Sequence, residues 1–109
     1  NRLIELLRQG KSIALICDAG TPAISDPGAL AVECVRAAGI RVEPIPGPNA
    51  AVAALSVSGM AAVPYCFQGF LPSKKGERGK VLESLKSHSE LLVFYEAPHR
   101  IVDAVASLA

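Results

Sequence analysis

Short, almost wholly apolar runs alternate in this sequence with longer stretches in which apolar residues recur every three or four positions. Residues 12–17 (SIALIC) and 90–96 (ELLVFYE) have the composition of strands that are buried on both faces of a parallel sheet. Further strands are predicted at residues 40–46 and 65–71. Because helical patterns separate these runs, the order of elements predicts an α/β architecture.

Glycine and proline mark the ends of the predicted helices. Gly10, Gly39 and Gly59 each follow a helical pattern, where a left-handed residue ends a helix. Asp26 is expected to cap the second helix and Asn49 the third. Helices are predicted at residues 2–9, from 27 to 38, at 50–58, at about 77–86 and from 98 onward.

Composition narrows the class of protein. The chain has 109 residues, half of them hydrophobic, and 11 Lys+Arg against 10 Asp+Glu give a net charge of +1. The hydrophobic content predicts an ordered domain, and the near-zero net charge does not imply a chain that coats polyanions. No apolar run approaches the roughly 20 residues of a membrane-spanning helix, so no membrane partner is expected and the location is expected to be cytoplasmic. A domain boundary is predicted near Val63, with residues 1–63 ending a first α/β domain and 64–109 beginning a second.

The cysteines argue against a covalent or metal framework. Cys17, Cys34 and Cys66 are odd in number and form no C-x-x-C pair. Each is expected to be a small buried hydrophobe in a reducing compartment. No metal site is predicted, because Asp18 and Asp26 lack further ligands beside them.

Two loops follow predicted strands, at the edge of the sheet where α/β proteins bind ligands. Neither loop has a dinucleotide fingerprint or a phosphate-loop motif. Each is open to two interpretations, a cradle for a small polar ligand or a rigid turn. The first loop consists of Asp18, Ala19, Gly20, Thr21 and Pro22, and the second of Pro46, Gly47, Pro48, Asn49 and Ala50.

Charged residues near the C-terminal strands are a second candidate site. Residues 73–86 hold five basic residues against two glutamates, a pattern that fits either an RNA phosphate backbone or a solvated face. At the end of the run 90–96, Glu96, His99 and Arg100 fit either a phosphate site with a proton acceptor or a structural ion pair beside a packed histidine.

Four runs of the sequence resemble a known family. They are CDAGTPAISDPG at 17–28, IPGPNAAVAALSVSG at 45–59, FQGFLPSKKGER at 67–78 and FYEAPHR at 94–100. Together they resemble the ribosomal RNA small subunit methyltransferase I group of the tetrapyrrole methylase family, over essentially the whole chain. The last two runs separate that group from porphyrin and corrin methylases.

The resemblance implies an S-adenosylmethionine-dependent enzyme that methylates the 2′-hydroxyl of a cytidine ribose in 16S ribosomal RNA of the small ribosomal subunit. It implies two α/β domains with the cofactor in their cleft, and a homodimer. This chain would hold the end of the first domain and the start of the second, a fragment expected to be inactive alone. The family's first strand and its Glu-Asp-Thr-Arg segment would precede Asn1, and the rest of the second domain would follow Ala109.

Carried over residue by residue, the resemblance makes both loops the cofactor site. Gly20, Thr21 and Pro22 match the family's Gly-Asp-Pro loop, with Thr21 in place of Asp. Cys17 stands where the group usually has Ser, and Asn49 where a smaller residue is commoner. Lys74, Lys75, Arg78 and Arg100 are expected to hold RNA phosphates, and His99 or Glu96 to assist removal of the proton, unless the base lies in segments outside the chain.

Two other functions compete with this one. Methylation of a tetrapyrrole or another small acceptor would not need the basic run. A binding or dimerisation module without catalysis is the second alternative, and weak or absent cofactor binding by the chain would favour it.

Overall fold

The computed structural model describes residues 2–60 and 63–109. The chain forms two compact units, residues 1–49 and residues 50–109. The boundary predicted near Val63 concerns the domains of the family fold and stays a prediction.

The first unit is built on two helices that contact each other, α1 (Arg2–Arg8) and α2 (Ala29–Ala37). Both end as predicted, because Gly10 (φ +80°) and Gly39 (φ +73°) adopt the left-handed conformation just beyond them. Val35 is the buried residue of α2.

The start of α2 differs from the prediction that Asp26 caps a helix beginning at Pro27. The helix begins at Ala29, and no side chain caps it. The reason is the backbone of Gly28, whose φ of +122° lies outside the helical region, so the turn has to finish before the helix begins.

The strands predicted at residues 12–17 and 40–46 are not formed, and these predictions were wrong. Both segments lack regular secondary structure, and Ile16 and Ile45 are 84% and 80% exposed. A strand requires a hydrogen-bonded neighbour. Within residues 2–60 and 63–109 the only ladder joins two later segments, so apolar composition alone did not make these runs into strands.

The second unit contains a strand–helix–strand arrangement. Its two strands are parallel, with Tyr65 opposite Leu91 and Phe70 opposite Tyr95. The register shifts between Phe67 and Gly69, and this β-bulge leaves Gln68 as the extra residue. The elements are α3 (Ala50–Ser58), β1 (Tyr65–Phe70), α4 (Lys75–Leu85), β2 (Leu91–Tyr95), a 3-10 turn (Pro98–Arg100) and α5 (Ile101–Leu108).

Most sequence predictions for this unit are confirmed. The predicted bounds of α3 are those observed, and each strand ends within one residue of its predicted limit. Helix α4 begins two residues earlier than predicted. Because β1 and β2 are parallel, their carboxyl ends lie at the same edge of the sheet, and Leu71, which follows β1, is buried there.

The cysteines are less buried than expected. All three are free thiols; Cys34 is exposed, and Cys17 and Cys66 are half-buried. The expectation that each is a buried hydrophobe was wrong, because Cys17 lies in a loop and Cys34 on the solvent side of α2. None of the helices among the described residues has the length and apolar character needed to cross a membrane.

Candidate functional site

The two loops singled out in the sequence contact each other in the first unit. The Thr21 hydroxyl donates a hydrogen bond to the Pro48 carbonyl at 3.2 Å, across 27 positions of the chain. The structure therefore brings the first loop (18–22) against the second (46–49), although no sheet positions them. Ala50, the last residue of the predicted set, is the first residue of α3 in the other unit.

Glycine suits positions 20 and 47 of the two loops for different reasons, a positive φ at Gly20 and limited space at Gly47. A Cβ atom on Gly47 would lie 3.3 Å from Thr21 Oγ1, and one on Gly20 would lie 3.5 Å from the Pro48 carbonyl oxygen. Gly20 also has a φ of +79°, a conformation that side chains disfavour. The loops thus present exposed backbone with little side-chain cover, which suits a ligand held by N–H and C=O groups.

The backbone that follows the first loop is strained. Ala23 and Ser25 have positive φ values, +69° and +57°, although neither is glycine. Such conformations cost about 1–3 kcal/mol each and are concentrated at binding and catalytic sites. The strain is thus a second reason to regard residues 18–25 as a candidate functional segment.

Cys17, which precedes the first loop, contacts two carbonyl groups of that loop through its thiol. Its thiol donates to the Ala19 carbonyl at 3.1 Å and lies 3.5 Å from the Gly20 carbonyl. Partial burial raises the pKa of the Cys17 thiol, and the nearby Asp26 carboxylate raises it further. The protonated thiol therefore does here what a serine hydroxyl would do, donating to loop carbonyls.

At the sheet edge of the second unit, Glu96 and Arg100 form an ion pair. Arg100 Nη2 lies 3.2 Å from Glu96 Oε2, and the Glu96 side chain is only 6% exposed. Glu96 Oε1 accepts a hydrogen bond from the Ala97 N–H at 2.8 Å, while Oε2 receives none from the described residues. The same Nη2 atom donates to the Leu71 carbonyl at 2.8 Å, so Arg100 ties the end of β1 to the segment after β2.

Arg78 is the buried member of the basic run 73–86. It is only 7% exposed. Its Nε donates to the Ser107 hydroxyl at 2.9 Å, which in turn donates to the Asp103 carbonyl at 2.7 Å. Arg78 therefore joins α4 to α5 and leaves little surface for an RNA phosphate, and the phosphate contact predicted from the sequence stays a prediction.

Lysines provide the exposed positive charge of this region. Lys74, Lys75 and Lys80 are all exposed, and we call these three residues the lysine surface. Lys74 lies 3.3 Å from Glu77, with both side chains mostly in solvent. An exposed pair of this kind is worth at most about 1 kcal/mol, so Lys74 can exchange Glu77 for a phosphate at small cost.

The remaining residues of the FYEAPHR segment divide into exposed and half-buried positions. His99 is exposed on the 3-10 turn, where its imidazole is accessible to a ligand. Tyr95 was missed by sequence reasoning: its phenol oxygen accepts a hydrogen bond from the Ala51 N–H at the start of α3, at 3.3 Å. The one signal in the sequence that could have indicated this contact is the alternation of helices and strands, since helices of an α/β fold pack on its strands, as α3 does on β2.

Comparison of the sequence with known proteins places the chain in a family. The family described as Tetrapyrrole (Corrin/Porphyrin) Methylases matches residues 1–109, the whole chain. The chain belongs to the tetrapyrrole methylase family. The resemblance drawn from the four sequence runs is thereby confirmed, as is the α/β class, which the parallel β1–α4–β2 arrangement represents here.

Three relatives carry the name ribosomal RNA small subunit methyltransferase I. The protein of Xylella fastidiosa is 53% identical over 108 residues, covering 99% of this chain and 40% of its own length. That of Pasteurella multocida is 53% identical over 106 residues, covering 97% and 38%. That of Bacillus subtilis is 48% identical over 109 residues, covering 100% and 37%. The chain therefore spans about two-fifths of the length of these curated relatives.

Proposed function

We propose that this chain forms part of an S-adenosylmethionine-dependent methyltransferase that methylates the 2′-hydroxyl of a cytidine ribose in 16S ribosomal RNA. The observation that carries the proposal is the contact between the two loops through Thr21 and Pro48, in a chain that belongs throughout to a methylase family. The names of the relatives support ribosomal RNA of the small subunit as the acceptor.

The loops fit a cofactor that is held by backbone groups. Gly47 lies where a Cβ would press on Thr21 of the opposite loop, and Gly20 has a φ of +79° that side chains disfavour, so both positions suit glycine and keep the loop backbone accessible. The Thr21 hydroxyl and the Cys17 thiol hold the loop conformation in place. S-adenosylmethionine, when bound, supplies an electrophilic methyl group.

The protein has two tasks in such a transfer. It must align the ribose oxygen in line with the bond that breaks, and it must accept the proton that the hydroxyl loses as the new C–O bond forms. Of the two residues predicted to accept the proton, His99 is exposed, whereas Glu96 is buried and paired with Arg100. We therefore assign proton acceptance to an imidazole nitrogen of His99, and phosphate contacts to the lysine surface.

The lysine surface favours RNA over a small acceptor. Its three exposed ammonium groups suit the repeated negative charges of an RNA phosphate backbone. The proposal includes the small ribosomal subunit as partner, the cytoplasm as location and a homodimer as the assembled form.

Transfer of a labelled methyl group tests the proposal. A protein of the relatives' full length that carries these 109 residues is incubated with labelled S-adenosylmethionine and a small-subunit ribosomal RNA fragment. We expect label on a cytidine ribose and none when that nucleotide has a 2′-hydrogen in place of the hydroxyl. Label on a base, or on a porphyrin acceptor instead of RNA, would contradict the proposal.

His99→Gln tests the assignment of the proton acceptor. General-base catalysis contributes about 10²–10⁴-fold, so kcat should fall within that range while the dissociation constant for RNA stays unchanged. An unchanged kcat would remove His99 from the chemistry.

A further inference from the structure

The basic segment that follows β1 contains both buried arginine and exposed lysine. Arg78 is 7% exposed, whereas Lys74 and Lys75 are exposed. Arginine suits fixed, multiply bonded positions because its planar guanidinium offers several donors, while lysine acts as a mobile point charge. Arginine and lysine therefore have different roles in this segment.

Arg100 fixes the N-terminal end of the segment. Its Nη2 donates to the carbonyl of Leu71, a residue that is only 4% exposed. The same Nη2 atom is paired with Glu96 Oε2, and the Ala97 N–H donates a hydrogen bond to Glu96 Oε1. This chain of contacts joins the end of β1 to the residues that follow β2.

Arg78 fixes the C-terminal end of the same segment. Its Nε bonds to Ser107 of α5, and its own N–H donates to the Lys74 carbonyl at 2.9 Å in the first turn of α4. The backbone that carries Lys74 and Lys75 is thus held at Leu71 on one side and at Arg78 on the other.

We propose that Arg78 and Arg100 are positioning residues that clamp residues 71–78 at both ends, so that Lys74 and Lys75 meet RNA phosphates from an ordered backbone. The inference rests on the proposed RNA methylation and deepens it. Ordering the segment before binding lowers the entropic cost that RNA would otherwise have to offset.

A pair of serine variants tests the clamp with little risk to folding. Ser107→Ala removes the acceptor of Arg78, and Ser84→Ala is its matched control. Both hydroxyls donate to a carbonyl of their own helix at 2.7 Å, but only that of Ser107 accepts from an arginine. In the full-length protein, Ser107→Ala should weaken binding of a small-subunit RNA fragment about two- to tenfold, the range of one hydrogen bond, and Ser84→Ala should leave it unchanged. Equal effects of both variants would overturn the inference.

The other end is tested with Glu96→Gln/Arg100→Gln, which neutralises both partners and leaves no buried charge alone. We expect weaker RNA binding in the parent protein and no further loss in a Lys74→Ala/Lys75→Ala background, because Arg100 acts through the lysines. Additive losses would mean that Arg100 holds a phosphate itself, and would overturn its positioning role.

Hydrogen exchange separates failure of the clamp from failure of the proposed function. Amides of residues 72–76 should exchange faster in both clamp variants than in the Ser84→Ala control, whether or not RNA binds there. Unchanged exchange would overturn the clamp even if the lysines bind RNA. If Lys74→Ala/Lys75→Ala binds RNA as well as the parent protein does, the RNA surface is wrong, while the exchange rates still show the clamp.

Discussion

Removal of the Tyr95 hydroxyl is the most specific perturbation of the second unit. Tyr95→Phe leaves the ring in place, where Phe67 and Phe70 contact it edge-on with centroids 4.7 and 5.8 Å away. What disappears is the acceptor of the Ala51 N–H, one of the first amides of α3. These amides have no partner within their own helix, so Ala51 depends on a group from elsewhere.

The burial of Ala51 sets the size of the effect. The residue is 5% exposed, so water replaces the lost acceptor poorly. An unsatisfied buried donor costs about 1–3 kcal/mol, and the length of this hydrogen bond, 3.3 Å, places the cost near the lower limit. We expect Tyr95→Phe to lower the free energy of unfolding by about 1 kcal/mol.

Tyr65→Phe is the matched control, because Tyr65 begins β1 and is 49% exposed. Urea unfolding, followed by circular dichroism, compares both variants with the parent chain, and the control should change its free energy of unfolding by less than about 0.5 kcal/mol. The amide of Ala51 should also exchange faster with solvent in Tyr95→Phe alone. Equal stabilities of the two variants, with equal exchange at Ala51, would refute the reasoning.

Three further predictions concern single residues. Gly79 lies in the interior of α4, and an added Cβ would meet open space there. Gly79→Ala should therefore raise the free energy of unfolding, measured by urea unfolding, by about 0.5–1 kcal/mol. A lower free energy of unfolding would contradict this prediction. Gly28→Ala should lower the free energy of unfolding by about 1–3 kcal/mol. The main cause is the φ of +122°; the Leu15 methyl group 2.6 Å from the added Cβ can move away, since it ends a flexible side chain. A stability equal to that of the parent chain would contradict this prediction. With the other cysteines replaced by serine, Cys17 should react with iodoacetamide at higher pH than a cysteine in an unstructured peptide, since only the thiolate reacts and the pKa of the thiol is raised. Asp26→Asn should shift that profile towards lower pH, and an unshifted profile would exclude the carboxylate as a cause.

The sequence predicted the second unit well because its helix ends have local signals and its apolar runs have partner strands. Gly59 has a φ of +75° and ends α3 where the pattern indicated, and the apolar run 90–96 forms β2 because β1 lies beside it. In the first unit, residues 12–17 have the same apolar composition but no neighbouring strand among the described residues. The apolar composition of a segment shows that it could lie in a sheet, but the segment becomes a strand only where another strand pairs with it.

The candidate site was predicted in part for the same reason. Glycine and proline in the two loops report backbone geometry directly, and these loops do contact each other through Thr21 and Pro48. The pattern of charges says less about which residues are exposed. Arg78 and Lys75 are both basic residues of the same run, yet Arg78 is buried and Lys75 is exposed. The partner of Arg78 is 29 positions away, and such a contact has no local signature.

Calorimetric binding of S-adenosylhomocysteine tests the central claim, that the two loops form the cofactor site. The measurement uses a protein of the relatives' full length, its Gly47→Val variant and a Gly76→Ala control with open space at the added Cβ. In Gly47→Val the new Cβ would lie 3.3 Å from Thr21 Oγ1, and the valine side chain would press the loops apart. We predict saturable binding by the parent and the control, and affinity reduced at least about tenfold in Gly47→Val, the effect of 1.4 kcal/mol. Undiminished binding by Gly47→Val would contradict the account and remove these loops from the cofactor site.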